Sequence, residues 1–250
     1  SAASDVYKRQ LLPFVWADAP MWMMRGLNAF FLCGAVFFFY QTAKVFVNHR
    51  WALLGALLIG LNPIQLRYIG HAKTEALSMM LFCAFAWAFV HVMRQSKLDW
   101  KWIVRAAAIF CALTMVRVLF GYVATAAIVA VPVFLWMFRR RDQILQATAP
   151  FAVTLAMCIP WLVYTYQYTG KFFCWSTNGG ELLYWITSPY DDEWGSWYSL
   201  DDLAMNPEPA KNHMKIAATV ASLDYAKQDD AWKSYAMANI EANPMGVVRN

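Results

Sequence analysis

Six runs of apolar residues, each long enough to approach the thickness of a bilayer, constrain this chain more than any other feature. A helix needs about 20 apolar residues to cross the hydrocarbon core, where its backbone must satisfy its own hydrogen bonds. We predict spans near 21–46, 51–69, 74–93, 102–115, 119–138 and 147–166. The predicted fold is an all-α polytopic membrane protein, with about six transmembrane helices and a small, mainly helical extracytoplasmic segment.

Lysine and arginine are divided unevenly between the two sides of the predicted membrane. One set of connections holds nine of them and the alternate set holds three. Because cytoplasmic connections carry the excess of positive charge, we place the nine in the cytoplasm and residues after 169 outside it. The nine are Lys44, Arg50, Arg94, Lys97, Lys101, Arg105, Arg139, Arg140 and Arg141. These basic residues form no continuous face, so the net charge of +5 does not indicate nucleic-acid binding.

The chain is predicted to have three parts. Residues 1–10 are a polar stretch joined abruptly to apolar sequence, and we expect them to be a non-native scar. Residues 11–168 form the transmembrane core. Residues 169–250 form an extracytoplasmic aromatic and acidic segment, expected to be truncated at its C-terminus, with 11 of the 16 acidic residues. Within it, 229–242 is predicted as a short amphipathic helix that ends at Asn243-Pro244.

Glu75 is the single acidic residue at the predicted extracytoplasmic ends of the spans. An ionisable group near membrane depth is a functional hypothesis by default. Thr74 and Glu75 open a predicted helix, so the carboxylate lies in the first turn and can meet Arg67 or Arg117. We therefore predict that Glu75, with Thr74, organises a site. The alternative interpretation is that Glu75 only complements the helix dipole.

Four basic side chains lie in the same predicted external connections as Glu75. They are Arg67, His71, Lys73 and Arg117. Together they could form a cationic pocket for a phosphate or pyrophosphate headgroup, and Arg117 is the best single candidate because arginine donates two parallel hydrogen bonds. The alternative interpretation is that they are interfacial side chains whose charged ends reach the headgroups.

Several short motifs follow one another in an order that resembles a known family. They are Asn62-Pro63 with Thr74-Glu75, then Met115-Val116-Arg117, then Pro160-Trp161, Tyr166, Gly170-Lys171-Phe172 and Ser176-Thr177-Asn178-Gly179-Gly180. The chain resembles the GT-C superfamily of polyprenyl- and dolichyl-phosphate-sugar glycosyltransferases, in particular its protein O-mannosyltransferases and aminoarabinose transferases (family 39-like). The resemblance covers about 20–189.

The resemblance implies an integral membrane glycosyltransferase that moves a hexose or pentose from a polyprenyl-phosphate donor to a protein, lipid or glycan acceptor. In that family an aspartate is the general base, and basic side chains stabilise the departing lipid phosphate. The catalytic aspartate is expected upstream of this sequence, and Asp18 does not match its position. Tyr164-Thr165 replaces the usual Arg-Asn pair. The loop containing Trp175, Asn178 and Gly179 is expected to shape the site around the sugar or acceptor, and the alternative interpretation of Asn178-Gly179 is an ordinary turn.

The resemblance further implies the bacterial inner membrane as the location, with the site facing the periplasm. No cofactor and no resident metal are expected, and the donor lipid is the expected partner. Asp191-Asp192-Glu193 could bind a divalent cation, but a solvated acidic loop is the simpler interpretation. The alternative functions are a polytopic transporter, whose ionisable residues should lie mid-span, or a non-catalytic membrane assembly subunit.

Overall fold

The computed structural model describes residues 20–63, 66, 74–95, 97–190 and 196–244, and in these ranges every regular element is a helix. This confirms the all-α class. We number the helices in chain order, with a short 3-10 turn at Arg141–Gln143 before α6. They are α1 Met21–Ala43, α2 His49–Gly60, α3 Glu75–Arg94, α4 Trp100–Val116, α5 Leu119–Met137, α6 Ile144–Thr169, α7 Gly179–Ile186, α8 Leu200–Met205, α9 Pro207–Ala221 and α10 Tyr225–Ala242.

Four of the six predicted spans coincide with helices that are long and apolar enough to cross a membrane. These stretches are Arg25–Ala43 in α1, Glu75–Arg94 in α3, Leu119–Met137 in α5 and Arg141–Thr169, which ends with α6. Their apolar side chains face outward to a large extent, and Phe30, Val129 and Phe134 are more than half exposed. Such exposure is expected of helices whose outer faces contact lipid rather than water.

The other two predicted spans are not confirmed. The span predicted at 102–115 lies on α4, whose 17 residues are about 26 Å long and include Lys101 and Arg105 near the start. The span predicted at 51–69 coincides with α2 only as far as Gly60, and most of its remainder lies outside the described residues. The count of six therefore stays a prediction.

The first compact unit ends at Trp161 and the second begins at Leu162, inside the continuous helix α6. In the first unit α3 packs against α1 and α4. Phe85 of α3 lies with its ring centroid 4.4 Å from that of Phe110 in α4 and 5.7 Å from that of Phe151 in α6. Ala88 and Ala106 are fully buried, and such small residues let helices approach closely in membranes.

This packing determines where the ends of α3 and α4 meet. The two helices are joined by residues 95–99, a connection too short for anything but an antiparallel pair. Near that connection, the Gln146 side chain of α6 donates hydrogen bonds to the carbonyls of Val92 (2.5 Å) and Gln95 (2.9 Å) at the end of α3. The start of α3 therefore lies beside the end of α4, at the opposite end of the pair.

The second compact unit contains the end of α6 and helices α7 to α10. Helix α7 packs against α10, and α9 packs against α8 and α10. Its core combines three aromatic with four aliphatic residues: Tyr184, Trp185, Leu203, Ala217, Val220, Trp232 and Ala236. The predicted helix at 229–242 is confirmed as part of α10, which begins four residues earlier, at Tyr225, and ends at Ala242 as predicted.

Candidate functional site

Glu75 and Arg117 meet where the start of α3 lies beside the end of α4. Glu75 is the first residue of α3, and Arg117 is the residue at which α4 stops, with an extended backbone (φ −136°, ψ 99°). The Nη2 of Arg117 donates to Oε1 of Glu75 at 2.6 Å. The prediction that Glu75 meets an arginine is therefore confirmed for Arg117.

The ion pair is favoured by both helices that carry it. A carboxylate in the first turn of α3 complements the positive end of that helix, and a guanidinium at the end of α4 complements the negative end of its own. The Arg117 side chain is 42% exposed and the Glu75 side chain 31% exposed, so water screens the pair in part. It therefore joins two helix ends at a boundary between the protein interior and its surroundings.

Both members of the pair have hydrogen-bonding capacity that the described contacts do not use. Oε2 of Glu75 is buried and has no hydrogen-bond partner among the described residues. A guanidinium has five N–H donors, and the contact with Glu75 uses one nitrogen of Arg117. A half-exposed arginine whose plane is held by a carboxylate can still donate to a phosphate, so the geometry is compatible with anion binding.

Thr74 supports the start of α3 through its backbone. It is 7% exposed, its side chain makes no capping hydrogen bond, and its carbonyl accepts a hydrogen bond from the Ser78 hydroxyl at 2.8 Å. The other three basic residues of the predicted pocket, Arg67, His71 and Lys73, lie outside the described residues, as does Asp18. The cationic cluster therefore stays a prediction beyond Arg117.

The loop predicted to shape the site belongs to the second unit. Its Trp175 is 1% exposed, so its ring presents no face to a sugar. Asn178 directly precedes α7, and its side chain makes no capping hydrogen bond. If Gly179 were alanine, the added Cβ would have no neighbour closer than 4.0 Å. No close approach of another chain segment therefore requires glycine at this position.

Sequence reasoning missed the role of the next glycine, Gly180. Its backbone N–H donates to Oδ1 of Asp229 in α10 at 2.7 Å, and an added Cβ would lie 2.1 Å from the Asp229 carbonyl oxygen. Gly180 thus permits close approach of α7 to α10. The paired glycines were the available signal, but the backbone they approach is 49 residues away in sequence.

Asp229 also connects the start of α7 to the end of α6. Lys171, two residues after α6, forms an ion pair with Asp229 (3.9 Å between Nζ and Oδ2) and a closer one with Asp230. Beside these groups, burial raises the pKa of Glu181, and a hydrogen bond from Trp197 opposes that increase. Asp229 of α10 therefore contacts both the start of α7, through the Gly180 N–H, and the residue pair after α6, through Lys171.

The acidic run Asp191-Asp192-Glu193 lies outside the described residues, so the cation site considered for it stays untested. Among the residues that the structure does describe, no three His, Cys, Asp or Glu side chains are grouped as metal ligands would be. The chain matches no family model, no curated protein and no solved structure.

Proposed function

We propose that this chain is the membrane core of a glycosyltransferase that moves a sugar from a polyprenyl-phosphate donor to an acceptor on the extracytoplasmic side. The observation that carries the proposal is the Glu75–Arg117 ion pair between the ends of α3 and α4. The proposal also uses the order of motifs that resembles the GT-C superfamily. The same two residues are the ones that this resemblance assigns to the site.

The chemistry of glycosyl transfer gives each member of the pair a role. When the bond between the sugar and the phosphate oxygen breaks, its electron pair goes to that oxygen, so negative charge on the lipid phosphate grows. Arg117 is placed to stabilise this charge, and such stabilisation lowers the barrier when the donor is fixed in advance. Glu75 holds the guanidinium in position through the 2.6 Å hydrogen bond.

The placement of ionisable side chains favours this function over transport. In the four spanning stretches the charged residues lie at or near the ends: Arg25, Glu75, Arg94, Arg141 and Asp142. Transporters hold their substrates and ions near the midplane, with polar groups from several helices. A site at the surface of the membrane suits a reaction between a lipid headgroup and a polar acceptor.

The proposed function is tested with protein expressed from its native gene and purified in lipid nanodiscs. We expect it to release polyprenyl phosphate from at least one member of a panel of polyprenyl-phosphate hexoses and pentoses when glycan, lipid and protein acceptors are supplied. Heat-denatured protein is the control for spontaneous hydrolysis. Failure to release or to bind any of these donors would contradict the proposal.

The first mutational prediction concerns Glu75. Glu75→Gln should cost about 1 kcal/mol of stability or less but lower the rate of sugar transfer at least about tenfold, equivalent to about 1.4 kcal/mol. The physical reason is that a neutral amide holds the Arg117 guanidinium less firmly than a carboxylate does. The rate is measured as polyprenyl phosphate released per minute.

Asp99→Asn is the matched control for Glu75→Gln. Asp99 is also a carboxylate at a helix start, where it accepts a hydrogen bond from the Lys101 N–H at 2.9 Å. If Glu75 only complements its helix dipole, both substitutions should cost about 0.3–1 kcal/mol of stability and leave the rate of transfer intact. Equal rates for both variants would reject the proposed role of Glu75.

The second prediction concerns topology, which the uneven distribution of lysine and arginine implies. Arg140 and Lys211 are both exposed in the structure. A membrane-impermeant thiol reagent added outside intact cells should label Lys211→Cys and should not label Arg140→Cys. Labelling of position 140 from outside would reverse the proposed orientation and would place Arg117, at the other end of α5, in the cytoplasm.

A further inference from the structure

Helix α7 presents apolar side chains outward as well as inward. Tyr184 and Trp185 are buried, and Gly180 approaches α10. Leu182 is 59% exposed and Ile186 is 41% exposed. Residues four apart lie on one side of a helix, so Leu182 and Ile186 form a single exposed apolar surface, here called the α7 outer face. The only charged residue of α7 is Glu181.

The start of α7 is fixed close to the end of α6 by a short series of contacts. Gly170 ends α6 in a left-handed conformation (φ 68°), and its N–H donates to the Tyr166 carbonyl at 2.7 Å. The next residue, Lys171, pairs with Asp229, and Asp229 accepts the hydrogen bond from the Gly180 N–H. Because each step is a direct contact, α7 cannot lie far from the point where α6 ends.

The end of α6 has the features of a helix that leaves a bilayer. Its 26 residues are about 39 Å long, which exceeds the hydrocarbon thickness of about 30 Å. Tyr164, Tyr166 and Tyr168, near this end, are each about half exposed. Tyrosines at the end of a span lie at the level of the lipid headgroups. Phe172 follows α6 directly and is 88% exposed.

We propose that the α7 outer face, together with Phe172, inserts into the headgroup region of the bilayer that α6 crosses. The partner of this surface is therefore a lipid surface, and the helix lies along the membrane rather than across it. Eight residues are too few to span a bilayer, whereas two exposed aliphatic side chains on a short helix suit its boundary. This inference is independent of the proposed reaction.

The charge of α7 determines which kind of lipid contact is expected. An electrostatic attachment needs a cluster of lysine or arginine, and α7 has none. The contact therefore depends on apolar burial, so it should persist in neutral phosphatidylcholine and at high salt.

The test is spin labelling of the whole chain in nanodiscs of phosphatidylcholine, with the five native cysteines replaced. Labels are attached at Leu182→Cys and Ile186→Cys, and Lys211→Cys in α9 is the matched control because its side chain is 74% exposed. Collision with dissolved oxygen reports contact with lipid, and collision with a water-soluble nickel chelate reports contact with water. We expect the oxygen-to-nickel ratio to be severalfold higher at 182 and 186 than at 211.

Three outcomes are distinguishable. The proposal is supported if the high ratio at 182 and 186 is retained at 1 M salt, where the electrostatic screening length is about 3 Å. It is overturned if both positions collide with nickel as often as position 211, since the face would then be in water. It is also overturned if they are shielded from both reagents, since a protein surface would then cover the face. Near-native circular dichroism of each labelled variant confirms that the fold is retained.

Discussion

Replacing Gly180 with alanine is expected to separate α7 from α10. The added Cβ would lie 2.1 Å from the Asp229 carbonyl oxygen and 2.9 Å from the Lys233 nitrogen, both of them backbone atoms that cannot rotate away. Overpacking typically costs about 1–3 kcal/mol of stability. Because this Cβ would clash with backbone atoms, the cost should be about 3 kcal/mol or more. We expect hydrogen exchange at the amides of α7 to accelerate about a hundredfold or more, since about 1.4 kcal/mol corresponds to a factor of ten.

The neighbouring glycine supplies the control for this experiment. An alanine at Gly179 would meet only Asp229 Oδ1 at 4.0 Å, and it would favour the helix by up to about 1 kcal/mol over glycine. Gly179→Ala should therefore leave exchange unchanged or slow it. Equal exchange rates in the two variants would show that the close contact between α7 and α10 is absent in solution.

Replacing Arg117 with alanine is expected to weaken the binding of polyprenyl phosphate about tenfold to a hundredfold. A hydrogen bond to a charged group contributes about 1.5–3 kcal/mol, and the substitution removes the guanidinium that would make it. Binding is measured by calorimetry with the wild-type protein and the variant in nanodiscs. Arg50→Ala, which removes an exposed arginine on the predicted cytoplasmic side, should change the dissociation constant less than about twofold, because it removes no charge-assisted hydrogen bond.

A second variant separates phosphate binding from the structural effect of the ion pair. Arg117→Ala leaves the Glu75 carboxylate without its partner, which could both destabilise the helix ends and repel a phosphate. The double variant Glu75→Gln/Arg117→Gln removes both charges and leaves no unpaired carboxylate. The double variant should still bind polyprenyl phosphate weakly, although it should be more stable to unfolding than Arg117→Ala. Binding that returned to the wild-type level would show that Arg117 does not contact the donor.

The Glu75–Arg117 pair and the loop around Trp175 differed in how well sequence could predict them. That Glu75 meets an arginine was predicted from local information, with Arg67 or Arg117 as the partner, because Glu75 opens an apolar run. The structure shows that the partner is Arg117, at the end of α4. The loop around Trp175 and Gly179 was assigned by resemblance alone. In the structure Trp175 is buried, and the glycine that closely approaches another helix backbone is Gly180 rather than Gly179.

Sequence alone was enough to predict the all-α class, the four helices that are long and apolar enough to cross a membrane, and the ends of several of them. These properties are local. The length of an apolar run determines whether its own helix can cross a membrane, and a proline or a first-turn acid marks the end or the start of its own helix. The helix predicted to end before Asn243-Pro244 does end at Ala242 for this reason.

Which side chains meet across long stretches of sequence depends on how the helices pack. Lys171 pairs with Asp229 and Asp230, and Asp229 accepts a hydrogen bond from Gly180; these partners are 49 to 59 residues apart. Nothing in the local pattern at Lys171 or Gly180 specifies such a partner. The pairing arises because α7 and α10 pack together around Tyr184 and Trp232, and this burial of aromatic surface brings the polar groups within reach of one another.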